Sequence, residues 1–258
     1  MMASQKNLID KVKNDHEAFL TGYFVAADPS VGDSIDIIKK AVAAGLDVIE
    51  IGIPSKDPFL EGDVIRRAHN RTRKHFNKIV QFIDFLIKLR HEIHVPIWIM
   101  GYSAEVVDSN LYIEIAQKNL ASAFIIPDIS KENLSKVRKE LKQWNTEMIP
   151  VINNHMSEED IVFASQDCSI IYCQMHAGKT GTDLKNLDTL PLFEKKIRKL
   201  SNATLMAGFG IKNANLVREI IACGFDGVVV GSEIVKTMEK EPTEKLIEFI
   251  HQLKQATK

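Results

Sequence analysis

Short β-branched or apolar runs alternate with longer stretches of helical period along the whole chain, and this switch of period from 2 to 3.6 recurs eight times. Such alternation predicts parallel strands joined by crossover helices, because a parallel neighbour is reached only by a long return path. The strand-like runs fall at 19–26, 46–51, 96–100, 123–126, 148–152, 169–173, 204–207 and 227–230. The intervening helical patterns include 34–45, which ends at Gly45, a residue suited to the position just past a helix, and a segment opened by Ser157-Glu-Glu-Asp160, which has the form of a capping box. Further helices are predicted at 76–90, 111–118, 130–144, 190–199, 213–223 and 243–256. Eight βα units in a chain of 258 residues predict a closed (β/α)8 barrel of the α/β class rather than an open doubly wound sheet. No Pro/Gly/Ser-rich linker interrupts the pattern, so residues 1–258 read as one barrel domain with a short N-terminal helix.

Composition excludes several function classes. A formal net charge of −1 provides no global field for nucleic acid or an anionic membrane, so recognition of an anion must be local. No apolar run reaches the ~18 residues that a membrane span needs. Three cysteines, Cys168, Cys173 and Cys223, match no zinc spacing and, with no leading apolar stretch, fit a reducing cytoplasm. The basic run from Arg66 to His75 has no interleaved aromatic platform and reads as a solvated helix face.

Glu50 is the residue most out of place. It interrupts the apolar run Asp47-Val-Ile-Glu-Ile-Gly52, where a carboxylate must find polar partners, stay protonated, or face a pocket. A pocket carboxylate of that kind is how acid/base catalysts are made, while a structural carboxylate bonded to backbone amides is the plainer alternative. In a barrel the chemistry lies at the C-terminal ends of the strands. Three glycine-containing segments fall there: Ala177-Gly-Lys-Thr-Gly-Thr182, Ala207-Gly-Phe-Gly-Ile211 and Gly231-Ser232. Glycines admit an anion close to backbone amides, and a helix N-terminus adds its dipole, so Gly181, Gly210, Gly231 and Ser232 are candidate phosphate ligands. Lys179 lies in a Gly-Lys-Thr-Gly run without Walker spacing, which excludes a P-loop.

These segments resemble the tryptophan synthase α subunit family. Tyr23-Phe-Val-Ala-Ala-Asp-Pro29 is similar to the family's first strand and its Gly-Asp-Pro turn, and Glu50-Ile-Gly-Ile-Pro-Ser-Lys-Asp-Pro-Phe-Leu-Glu-Gly62 to its signature Glu-x-Gly-x-Pro-x-Ser-Asp-Pro-x-Ala-Asp-Gly. Tyr102, Pro127-Asp128, Tyr172, Gly178-Lys-Thr-Gly181, Gly208-Phe-Gly-Ile211 and Gly231-Ser-Glu-Ile-Val-Lys236 continue the resemblance in order. It implies a lyase of tryptophan biosynthesis, cleaving indole-3-glycerol phosphate by a retro-aldol reaction to indole and glyceraldehyde 3-phosphate, without metal or organic cofactor. Glu50 then matches the acid/base residue, and Glu61 the second carboxylate, which accepts from the indole N–H. Tyr23, Met100, Tyr102, Asp128, Tyr172, Thr180 and Phe209 become the expected substrate-binding residues. Met100 also reads as a gap-filling core side chain.

The departures from the family carry expectations of their own. Glu61 stands where the family has aspartate, and the extra methylene moves a carboxylate by about 1 Å, a displacement that can cost ~100-fold in rate. The resemblance further implies docking to a pyridoxal phosphate β subunit in an α2β2 tetramer, through the loops after the second and third strands. There, Ser55 and Lys56 replace an apolar residue and a serine, and Ala104-Glu105 replaces Asn-Leu. Two other readings stand beside the lyase: a barrel acting on another phosphorylated substrate, and a non-catalytic regulatory subunit.

Overall fold

The computed structural model describes residues 5–258 except 16, 77, 176–186 and 209. Among the described residues the strands are β1 (Phe19–Val25), β2 (Val48–Gly52), β3 (Ile97–Met100), β4 (Ala123–Ile125), β5 (Glu147–Met148), β6 (Val151–Asn153), β7 (Ile170–Gln174), β8 (Thr204–Gly208) and β9 (Gly227–Val230). All neighbouring pairs are parallel, in the order β5-β4-β3-β2-β1-β9-β8-β7-β6. The two ends of this ribbon, β5 and β6, are separated along the chain only by Ile149 and Pro150. They are halves of one barrel strand. Ile149 N–H donates to the Phe124 carbonyl at 2.9 Å on one side, and the Pro150 carbonyl accepts from Tyr172 N–H at 2.9 Å on the other. Pro150 has no N–H to add to a ladder, which is why the strand expected at 148–152 is divided. The sheet therefore closes through its own chain as a (β/α)8 barrel.

Alternation along each strand separates two apolar layers. On β1, Leu20 and Phe24 face the surrounding helices, while Phe19, Tyr23 and Val25 fill the barrel interior with Trp98, Ile125, Tyr172 and Met206. On β2, Ile49 and Ile51 face outward, so Glu50 between them faces inward with Val48. Helix Gln5–Asp15 closes the N-terminal end of the barrel. Its buried Gln5 accepts from Trp98 Nε1–H at 3.0 Å and donates to Glu147 Oε2 at 3.0 Å. The C-terminal end is left for chemistry.

Side-chain caps set several helix starts. Ser30, Ser130, Ser157 and Asn213 each accept from the backbone N–H three residues on, satisfying a donor that the first turn leaves unpaired. The second helix accordingly begins at Val31 rather than near Ser34, because Ser30 is its cap. It ends as expected before Gly45, whose φ of 119° lies in the left-handed region.

Candidate active site

Glu50 and Glu61 line one cavity at the C-terminal mouth of the barrel, with about 900 Å³ of space including its opening. Tyr23, Met100, Tyr172, Gly210, Gly231 and Ser232 line it as well. Glu50 is 3% exposed and Glu61 1% exposed. Glu50 comes from the inner face of β2. Glu61 comes from the loop that follows, where its N–H donates to the Pro58 carbonyl at 3.0 Å immediately before helix Asp63–Thr72 begins. Among the described residues Glu50 Oε2 has no hydrogen-bond partner. Burial, and then the charge of Glu61, push Glu50 up to about 8 from 4.5. At neutral pH one carboxyl of the pair is thus held protonated in an apolar enclosure, the state a proton donor requires.

Two tyrosines of the cavity wall are seated in the same way. Tyr23 of β1 reaches across to Gly52 of β2, the register partner of Val25, and Tyr172 of β7 reaches across to Gly208 of β8, the register partner of Gln174. A Cβ on Gly52 would fall 2.1 Å from the Tyr23 hydroxyl, and one on Gly208 would fall 2.2 Å from the Tyr172 hydroxyl. Each glycine is the notch that admits a phenol. Burial pushes both phenols well above their usual range, with the charges of Glu50 and Glu61 adding to the effect.

Tyr102 and Asp128 stand apart from the cavity lining. The Tyr102 ring lies against Phe59 with centroids 4.8 Å apart, beneath the loop that carries Glu61. Asp128 Oδ1 accepts from Ser103 N–H at 2.9 Å and from the Ser103 hydroxyl at 3.2 Å, so it fixes the loop after β3. Thr180, Phe209 and Gly181 lie outside the described residues. At the mouth, Gly210 has a φ of 85°, and Gly231 precedes helix Ser232–Lys240, whose first-turn amides point to the opening. Lys212 and Lys236 line the cavity here, Lys236 paired with Glu233 at 2.9 Å. The mouth suits an anion, whereas the floor is apolar with two carboxyls.

The basic run from Arg66 to His75 is only partly a solvated face. His69 is 1% exposed, and Thr72 is buried. Arg71 makes a two-pronged contact with Asp28, at 3.0 and 2.8 Å, and also donates to Glu239 at 2.9 Å. Arg67 donates to the same Glu239. Helix Asp63–Thr72 is thereby bound to the turn after β1 and to helix Ser232–Lys240. A charge-rich run masks this buried face in the sequence; its signal is the helical spacing of Ile65, Ala68, His69 and Thr72. Ile65, Ile125, Val151 and Val229 also line the cavity as apolar wall, and nothing in the sequence distinguishes them from other buried barrel residues.

Ser55 and Glu105, both departures in the expected docking loops, contact each other. The Ser55 hydroxyl donates to Glu105 Oε1 at 2.6 Å and joins the loop after β2 to helix Ser103–Val106 after β3.

Comparison with known proteins gives a consistent result. A family model described as tryptophan synthase alpha chain matches residues 9–258. The tryptophan synthase alpha chain of Petrotoga mobilis is 28% identical over 92% of this chain and 92% of its own length. That of Bacillus pumilus is 29% identical over 87% of this chain and 85% of its own. Among solved structures, tryptophan synthase subunit alpha from Legionella pneumophila has a TM-score of 0.86 at 25% identity, covering 98% of this chain and 97% of that one. A chain of Mycobacterium tuberculosis tryptophan synthase reaches 0.88 at 19% identity over 99% and 98%, a likeness of fold.

Proposed function

The chain belongs to the tryptophan synthase alpha chain family, and from that premise we propose that its cavity cleaves indole-3-glycerol phosphate to indole and glyceraldehyde 3-phosphate. The observation that carries this reading is the pairing of Glu50 and Glu61 in one buried cavity whose mouth is the start of helix Ser232–Lys240. Protonated Glu50 delivers its proton to indole C3. The ring nitrogen becomes cationic and its N–H donates to the Glu61 carboxylate. Glu50, now a carboxylate, removes the proton of the glycerol hydroxyl; the C–C bond breaks as the aldehyde forms, and its electrons return to the ring. Atoms balance and Glu50 ends protonated. Tyr23, Met100 and Tyr172 enclose the indole, while the amides at Gly210, Gly231 and Ser232, with Lys212 and Lys236 nearby, hold the phosphate.

Glu61 lines the cavity beside Glu50, and its backbone is held by the turn in which its N–H donates to the Pro58 carbonyl. The partner in this proposal is a β subunit, docked on the loops after β2 and β3. The Ser55 hydroxyl gives Glu105 Oε1 a partner within the chain, which leaves Glu105 Oε2 for a donor from the partner, and Phe59, 46% exposed, offers an apolar anchor there. The proposed compartment is the cytoplasm, in line with the three free thiols. The test is release of indole from indole-3-glycerol phosphate by the purified chain, alone and with a β subunit. Absence of indole in both arms overturns the proposal.

A further inference from the structure

Helix Asp63–Thr72 brings a histidine to the back of the cavity, and its two ring nitrogens have unequal partners. His69 Nδ1 lies 2.9 Å from Ser55 N, and His69 Nε2 lies 3.2 Å from the Tyr23 hydroxyl. A backbone N–H can only donate, so Nδ1 must be the unprotonated nitrogen. In the neutral ring the hydrogen is then on Nε2, which donates to the Tyr23 oxygen. Burial holds His69 down at about 4, so the ring is neutral throughout the physiological range. A phenol oxygen that accepts on one side is left with its own hydrogen to place elsewhere. The Gly52 backbone closes one side of Tyr23, and the cavity holding Glu50 and Glu61 lies on the other. Tyr23 and Glu50 are, moreover, register partners on adjacent strands.

From this geometry we infer that His69 is a positioning residue that turns the Tyr23 hydroxyl hydrogen away from the ring nitrogen and into the cavity that Glu50 and Glu61 line, so that Tyr23 offers a donor at the reacting centre. The inference rests on the proposed lyase reading for its consequence in turnover, and on geometry alone for the tautomer. A donor aimed at a carboxylate stabilises its charged form, which is the form Glu50 must take when it receives the glycerol proton. The same histidine anchors Ser55, so the loop that carries Glu61 and the phenol facing it share one fixed point.

The experiment is a double-mutant cycle on kcat and KM for indole release, with ¹⁵N spectroscopy of the His69 ring. Asparagine at 69 places its amide near Nδ1, able to accept from Ser55 but too short for Tyr23; glutamine reaches the Nε2 position and can donate. Tyr23→Phe and His69→Asn should each lower kcat about 10- to 100-fold with little change in KM, the size expected for a hydrogen bond to a charged group. The double variant should lose no more than either single one, and His69→Gln should recover most of the rate. The ¹⁵N spectrum of the unmodified protein should show a neutral ring protonated on Nε2 from pH 5 to 8. Additive losses, an effect confined to KM, or a ring protonated on Nδ1 overturns the inference. If the unmodified protein releases no indole, the lyase reading fails and the ring spectrum still decides the tautomer. If His69→Asn does not fold, the spectrum together with Tyr23→Phe and His69→Gln decides.

Discussion

The Tyr172 hydroxyl occupies the space that a side chain on Gly208 would need: a Cβ there falls 2.2 Å from that oxygen and 2.3 Å from Cε1 and Cζ of the ring. Both residues face the barrel interior, and the phenol is enclosed by its neighbours. Gly208→Ala therefore drives the ring into the cavity. Overpacking of this kind costs about 1–3 kcal/mol, and we expect a lower melting temperature with at least a tenfold loss of turnover. Tyr172→Phe in the same chain should not rescue it, since the ring carbons collide as well. Calorimetry and indole release of the two variants check this.

Stability should depend on the proton held by Glu50. Its folded value of about 8 lies above the ordinary 4.5, so from pH 4.5 to 8 the folded state binds a proton that the unfolded chain has lost, and stability falls as pH rises. His69 acts in the opposite sense. Its folded value of about 4 lies below 6.5, so the stability it contributes is present above 6.5 and is lost as pH falls toward 4. The two oppose each other between 4.5 and 6.5, and only Glu50 remains above that. Melting temperature should decline from pH 6.5 to 8, and Glu50→Gln should remove that decline while abolishing turnover.

Neutralising Glu61 should act on Glu50 at a distance. Burial is the larger cause of the raised Glu50 value and the Glu61 charge the second, so Glu61→Gln removes only part of the rise. The alkaline limb of the kcat/KM profile, set by loss of the Glu50 proton, should move to lower pH in this variant. A limb that stays in place would separate the two carboxyls energetically.

Arg71 joins Asp28 to Glu239, and the Asp28 side chain is nearly inaccessible while Arg71 is about one-third exposed. Arg71→Ala leaves the Asp28 carboxylate without its two-pronged partner. Discounted for solvent on the arginine side, the loss should be about 1–3 kcal/mol in denaturant unfolding. Arg71→Lys keeps the charge and loses the fork, and should recover less than half.

Inorganic phosphate should bind at the mouth and protect the fold. A tenfold excess over its Kd stabilises by about 1.4 kcal/mol, seen as a rise in melting temperature. Gly231→Asp places a carboxylate among the first-turn amides of helix Ser232–Lys240 and should abolish that rise without unfolding the chain, because a Cβ at this position meets nothing closer than 3.4 Å.

The sequence determined the elements that depend on local chemistry. Alternation of period marked the strands and helices, Gly45 the end of the second helix, and the inward position of Glu50 follows from the period of β2 between outward Ile49 and Ile51. Register along a strand is a local property, so a misplaced charge could be recognised before its surroundings were known. Tertiary structure alone decided who meets whom. Pro150, without an N–H for the ladder, divides the fifth barrel strand, and its two halves pair with different neighbours. Tyr102 and Asp128 lie beside the cavity rather than in its wall, Tyr102 packed under Phe59 of the loop after β2 and Asp128 held to Ser103 of the loop after β3. His69, set in a run of arginines and lysines, became the buried partner of Tyr23, 46 residues away. That contact follows from packing one helix against β1 and the loop after β2, and no local pattern in the sequence contains it.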